Sequence, residues 1–166
     1  MRILGVDPGL SGALALLDPD DMTVTVHDMP TFEVKGGKKT RHELNVAAVA
    51  KLLAVHRPNF AFVEKVGAMP GQGVVSMFRF GEAYGALQGV IAALDIPVYF
   101  VLPQKWKGRL GLKDSSKGAA RREATRLFPA YAQTFARVKD DGRAEATLIA
   151  LYGAREYSRL TGAPAA

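Results

Sequence analysis

At 166 residues, 48% hydrophobic and 23% charged, the chain has the size and balance of a single globular domain with a sizeable core. It has no cysteine, which excludes a disulfide framework and a thiolate metal site, and no apolar run is long enough to span a bilayer. The net charge of +6, with a pI near 9.7, points towards a polyanionic partner.

In chain order, residues 2–7 (RILGVD) and 12–17 (GALALL) read as strands joined by a tight DPGLSG connection. Residues 22–28 (MTVTVHD) alternate with a period of two and predict a third, edge strand, so the three form an antiparallel meander. Residues 30–42 (PTFEVKGGKKTRH) read as a loop, and 43–56 carry helical periodicity through Leu44, Val46, Ala47, Ala50, Leu53 and Ala54. FAFVE (60–64) is a short buried strand. The glycine-flanked VGAMPGQG then leads into a helix over 74–94.

That helix has apolar residues on more than one face, and Gly81, Gly85 and Gly89 recur every fourth position. Each mid-helix glycine costs about 1 kcal/mol relative to alanine, so the stripe implies close packing, on the sheet or on a second copy of the chain. VYFVL (98–102) predicts a fifth strand, 115–128 a helix, and a last helix runs from Asp140 or Asp141 to about Arg159. The expected architecture is one α/β domain over 1–160, a mixed sheet of three antiparallel and two parallel strands flanked by helices, with 161–166 a flexible tail. MRILGVD has no signal-peptide pattern, and the expected location is the cytoplasm.

The charge is unevenly spread. Lys105, Lys107, Arg109, Lys113, Lys117, Arg121, Arg122 and Arg126 stand against only Asp114 and Glu123, and the rest of the chain is balanced. A smaller basic cluster, Lys35, Lys38, Lys39 and Arg41, surrounds the Gly-Gly pair. The alternatives are a nucleic-acid surface and a solvated basic helix face.

Two strands end in a carboxylate, Asp7 and Glu64, and a βαβ crossover between them sets both at the ligand-favouring end of a parallel pair. In the last helix Asp141 and Glu145 are four apart and share a face, which Ala144 and Leu148 continue inward. Four converging carboxylates repel unless a cation joins them, and hard oxygen donors favour Mg²⁺ or Mn²⁺. Taken singly, Asp7 could cap a turn, Glu64 could pair with Lys65 or Arg143, and Asp140 or Asp141 could cap the helix.

GVDPGLSGALAL, FVEKVGAMPGQG, FGEAYGALQGVIAALDIPVYFVLPQKWK and KDDGRAEATLIA, in this order, closely resemble RuvC-type Holliday-junction resolvases, in particular the phage and bacterial branch similar to the chloroplast junction resolvase. The resemblance implies an RNase H-like fold, a homodimer, and Mg²⁺-dependent paired nicking of four-way DNA junctions in a bacterial or phage-encoded protein. It matches Asp7, Glu64, Asp141 and Glu145 to the metal-holding acids, with Asp140 a possible substitute for Asp141. Lys107 and Lys117 fall at lysines near the scissile phosphate. The best-known bacterial members carry two aspartates three apart in the last helix, where this chain has Asp141 and Glu145. In the loop after Glu64, many relatives have an aromatic where this chain offers Met69, a candidate wedge against a base. Arg79, Lys38, Lys39, Arg41, Lys105, Arg109, Lys113 and Arg121 are the remaining candidate DNA contacts. A sugar kinase or ATPase of the actin-like type would also follow a strand with Asp-x-Gly, but needs two related lobes.

Overall fold

Alternation in the first strand decides which side of the sheet each residue serves. In the computed structural model, which describes residues 1–36, 39–68, 71–112 and 116–161, β1 (Ile3–Asp7) sends Leu4 and Val6 into one core layer and Ile3 into the other. β1 pairs antiparallel with β2 (Ala13–Asp18), which pairs antiparallel with β3 (Thr23–Asp28). On its other side β1 runs parallel to β6 (Phe60–Glu64), and β6 parallel to β7 (Val98–Val101). The order β3-β2-β1-β6-β7 is the five-stranded mixed sheet expected from the sequence.

A second, two-stranded sheet, β4 (Thr31–Gly36) with β5 (Lys39–Leu44), occupies the stretch read as a loop. TFEVKG alternates only over Phe32 and Val34 and KTRHEL has no apolar residue before Leu44, so with the Gly-Gly pair between them the stretch reads as a loop. Pairing from Thr31–Leu44 to Gly36–Lys39 satisfies their backbone instead.

α1 (Val46–His56) and α2 (Val74–Ala93) cover one face, packing Val49, Leu53, Leu87 and Ile91 against Leu4, Val6, Ala61 and Val63. α1 begins three residues later than its periodicity suggests. Asn45 caps it, its Oδ1 accepting from the Ala48 N–H at 3.0 Å. The other face carries α3 (Pro103–Arg109), α4 (Ala119–Leu127) and α5 (Asp141–Thr161). The single helix expected over 115–128 is shorter, and the seven-residue α3, opened by Pro103, precedes it.

α5 lies backbone to backbone on β1. A Cβ on Gly5 would collide with the backbone of Ala146 and Ala150, and one on Gly153 with the Phe62 ring. The α2 glycines do the opposite. No atom lies within 4 Å of a Cβ built on Gly81, Gly85 or Gly89, so tight packing on the sheet is not their explanation. No helix among the described residues is long and apolar enough to cross a membrane.

Candidate active site

Register sets the two strand acids side by side. Val6 of β1 partners Val63 of the parallel β6, and the next residues are Asp7 and Glu64. Both stand at the carboxyl ends of their strands, beneath the first turns of α5. The Asp7 carboxylate accepts from the Gly9 N–H at 3.3 Å, within the DPGLSG turn. A Cβ on Gly142 of α5 would meet Ser11 O at 2.6 Å, Gly12 Cα at 2.8 Å and Asp7 Oδ2 at 3.0 Å. Only glycine admits Asp7 this close to the helix.

Glu64 is 8% exposed, and its Oε1 accepts from the indole Nε1–H of Trp106 at 2.8 Å. Trp106 is fully buried, so α3 presents its one aromatic N–H to the acid. The Tyr84 hydroxyl donates to the Glu64 backbone carbonyl at 3.3 Å. Neither Lys65 nor Arg143 pairs with Glu64: Arg143 grips Asp28 at 2.5 Å and lies 3.8 Å from Asp140.

Glu145 comes down from α5 onto the same group. Its Oε1 is 2.8 Å from Lys107 Nζ. Burial pushes the Asp7 carboxyl up to about 7; the Gly9 N–H opposes this, while Glu145 and Glu64 reinforce it. Glu64 is raised as well, by burial first, with the Trp106 hydrogen bond opposing and Glu145 adding to the rise. Burial works against the Lys107 ammonium, but the bond to Glu145 and the fields of Glu64 and Asp7 leave its pKa raised. Asp7, Glu64, Glu145 and Lys107 therefore form one electrostatic unit.

Asp141 stands apart from it. Its carboxylate is half exposed and bound to Arg121 Nε at 2.8 Å. Asp140 is turned away: at 1% exposure it accepts from the Arg137 guanidinium at 2.8 Å and from the Arg137 backbone N–H at 2.8 Å. It caps the turn that starts α5, which leaves Asp141 as the acid beside the site. A cavity of about 370 Å³ lies between the basic segment and α5, lined by Lys107, Ser116, Lys117, Asp141 and Glu145 among others.

The remaining cationic candidates are dispersed. Arg109 pairs with Glu156 at 3.4 Å and Arg41 with Glu43 at 2.8 Å. Lys105 and Arg79 are exposed, and Arg79 shares a groove with Arg41 and Phe78. Lys39 lies in β5; Lys38, Met69 and Lys113 lie outside the described residues. Two features escaped the sequence reading. One is Trp106, whose signal was a lone tryptophan in a basic run, needing a partner for its N–H. The other is the Asp28–Arg143–Asp140–Arg137 cluster, which joins residues more than a hundred positions apart.

Among the described residues, no group of three or more carboxylates or imidazoles is already drawn together as a metal site. The donor chemistry nevertheless suits a hard divalent cation. The acids offer only oxygen, and Asp7 and Glu64 are raised first by burial, a cost that a bound cation would offset.

No family model matches the chain. A curated relative, the crossover junction endodeoxyribonuclease RuvC of Nocardia farcinica, is 29% identical over 133 residues, 77% of this chain and 69% of that protein. Among solved structures, RuvC of Thermus thermophilus matches with a TM-score of 0.58 at 20% identity, covering 97% of both chains. The same protein in complex with a Holliday junction substrate matches at 0.61 and 18%, covering 98% of both. The fowlpox virus Holliday junction resolvase matches at 0.52 and 16%, covering 96% of this chain and 99% of that one. The fold is the RNase H-like one expected from the motifs. The chain is similar to RuvC-type resolvases in sequence and shares their fold.

Proposed function

We propose that the protein is a crossover junction endodeoxyribonuclease, a metal-dependent enzyme that resolves four-way DNA junctions by paired, symmetric nicks. The observation that carries this reading is that Asp7 and Glu64 stand side by side at one end of the sheet, in the field of Glu145 and its partner Lys107. The junction-cutting activity named for the Nocardia relative, and the junction held by the Thermus protein, support the choice of substrate.

Asp7, Glu64 and Glu145 would hold Mg²⁺, with Mn²⁺ able to substitute and Asp141 joining from the same helix. The chemistry a pair of such ions would supply there is activation of water and stabilisation of charge on the leaving oxygen. The chain's own groups supply the rest. Trp106 fixes the Glu64 carboxylate, the Gly9 N–H orients Asp7, and Lys107 and Lys117 offset charge developing on the phosphate. The products carry 5′-phosphate and 3′-hydroxyl ends. Lys39, Arg41, Arg79, Lys105, Arg109 and Arg121 contribute the sequence-independent hold on the phosphate backbone, so binding weakens steeply with salt.

Paired nicking needs two sites, and a homodimer provides them. The outward side of α2 suits that role: Val74 and Phe78 are exposed, and the open space over Gly81, Gly85 and Gly89 lets a second helix approach. The test is a labelled four-way junction and a linear duplex, each incubated with and without Mg²⁺. Symmetric nicks on the junction alone, lost in Asp7→Asn, support the reading. Binding without cutting would make this a junction-binding protein, and equal cutting of both substrates a broader nuclease.

A further inference from the structure

The two α5 acids at the cavity, Asp141 and Glu145, are already neutralised by the basic segment that faces them. Lys107 Nζ lies 2.8 Å from Glu145 and Arg121 Nε 2.8 Å from Asp141, and Lys107, Asp141 and Glu145 all line the cavity between α5 and that segment. Asp7 and Glu64, by contrast, have no ion pair among the described residues.

We propose that Lys107 and Arg121 are built-in counter-cations of the DNA-free protein, which must leave Glu145 and Asp141 before divalent cations can be fully held there. The phosphates of incoming DNA are what draw them off. The proposal rests on the nuclease reading above and adds a rule for loading the site: cation and DNA bind cooperatively because they exchange partners with the same two basic side chains.

The exchange is physically accessible. The side chains of Lys107, Glu145, Arg121 and Asp141 are 34%, 25%, 21% and 50% exposed, and ion pairs of such exposure contribute little net stability. Each is replaced by an equivalent one, carboxylate to divalent cation and ammonium or guanidinium to phosphate, so no charge is left unpaired. Because coupling between two ligands is reciprocal, a site closed to the cation in the absence of DNA favours DNA when the cation is present. The consequence is an enzyme with weak cation affinity away from its substrate.

The test is Mn²⁺ titration of the full-length, DNA-free protein by calorimetry, with thermal melting to confirm folding of each variant. Lys107→Met and Arg121→Gln are expected to bind Mn²⁺ about 5- to 150-fold more tightly than the unaltered protein, the ordinary range of coupling between sites. Lys107→Arg and Arg121→Lys, which keep the pairs, should bind as the unaltered protein does. Lys117→Met removes a charge from the same cavity without breaking an ion pair among the described residues, and reports the plain electrostatic effect, which should be smaller. If Lys107→Met does not fold, Arg121→Gln carries the comparison, since its partner Asp141 is half exposed. Equal or weaker Mn²⁺ binding by both variants, or a gain no larger than that of Lys117→Met, overturns the proposal. Junction cutting by the unaltered protein, measured separately, decides the nuclease reading whichever way the titration falls.

Discussion

The indole N–H of Trp106 and the carboxylate of Glu64 meet at 2.8 Å inside the protein, 42 positions apart in the chain. The bond favours the charged acid, against the burial that raises its pKa. Trp106→Phe keeps most of the packing and deletes the donor. It is expected to cut the rate about 10- to 100-fold, the usual effect of removing a group that orients a metal ligand. It should also move the acidic limb of the pH–rate profile upward. A profile unchanged in position would assign Trp106 to packing alone.

Asp7 stores an opposition between stability and activity. Its carboxyl titrates near 7 in the cation-free fold, against 3.8 when unperturbed. Between those values the folded protein binds the extra proton, so stability falls as pH rises through this window and levels off above it. Asp7→Asn removes the cost of a buried charge and is expected to stabilise the cation-free protein at pH 8 by about 1–3 kcal/mol. The same change abolishes cutting. Thermal melting at pH 5 and pH 8 checks the sign: the gain should be larger at the higher pH.

Gly142→Ala sets two effects against each other. Alanine in a helix is worth about 1 kcal/mol over glycine. The new Cβ would meet Ser11 O at 2.6 Å and Gly12 Cα at 2.8 Å, both backbone atoms that do not yield readily. Overpacking of this kind costs about 1–3 kcal/mol, so net destabilisation is expected, together with loss of cutting as Asp7 is pushed away. A variant that melts higher and cuts normally would disprove the close approach.

Asp140 and Asp141 are adjacent but do different work, and paired variants separate them. Asp140→Asn weakens the bonds to Arg137 and should cost about 1–3 kcal/mol. The Arg137 guanidinium holds the Asp140 carboxyl below its ordinary range, with Arg143 adding to the effect. Its stabilisation is therefore present above the unfolded carboxylate range and lost as pH falls below it. Asp141→Asn breaks only a half-exposed pair and should change stability by less than about 1 kcal/mol, while reducing cutting more than Asp140→Asn does. Melting curves and junction cutting on both variants decide it; a reversal would exchange the two roles.

What could be read from the sequence follows from how much each segment buries. ILGVD and FAFVE, apolar on both sides, declare themselves as inner strands, and a charged last residue on each is conspicuous for that reason. TFEVKG and KTRHEL pair mainly with one another and carry no such pattern. α3 is short, basic and opened by proline, so no periodicity marks it, although it delivers both Trp106 and Lys107. The glycines of α2 announced close approach without saying to what. The pairing of Arg121 with Asp141 and of Lys107 with Glu145 depends on how helices from distant segments stack, which spacing alone does not encode.

The contact of α5 with β1 through Gly5 has a wider consequence. Main chain rests on main chain there, so the axial position of the helix is indexed by peptide units, not by the fit of interchangeable aliphatic groups. Leu148, Ile149 and Leu151 can then drift in identity over evolutionary time without moving the anionic apparatus at the far end. Tolerance in the interior and constancy at the working edge come from the same missing side chain.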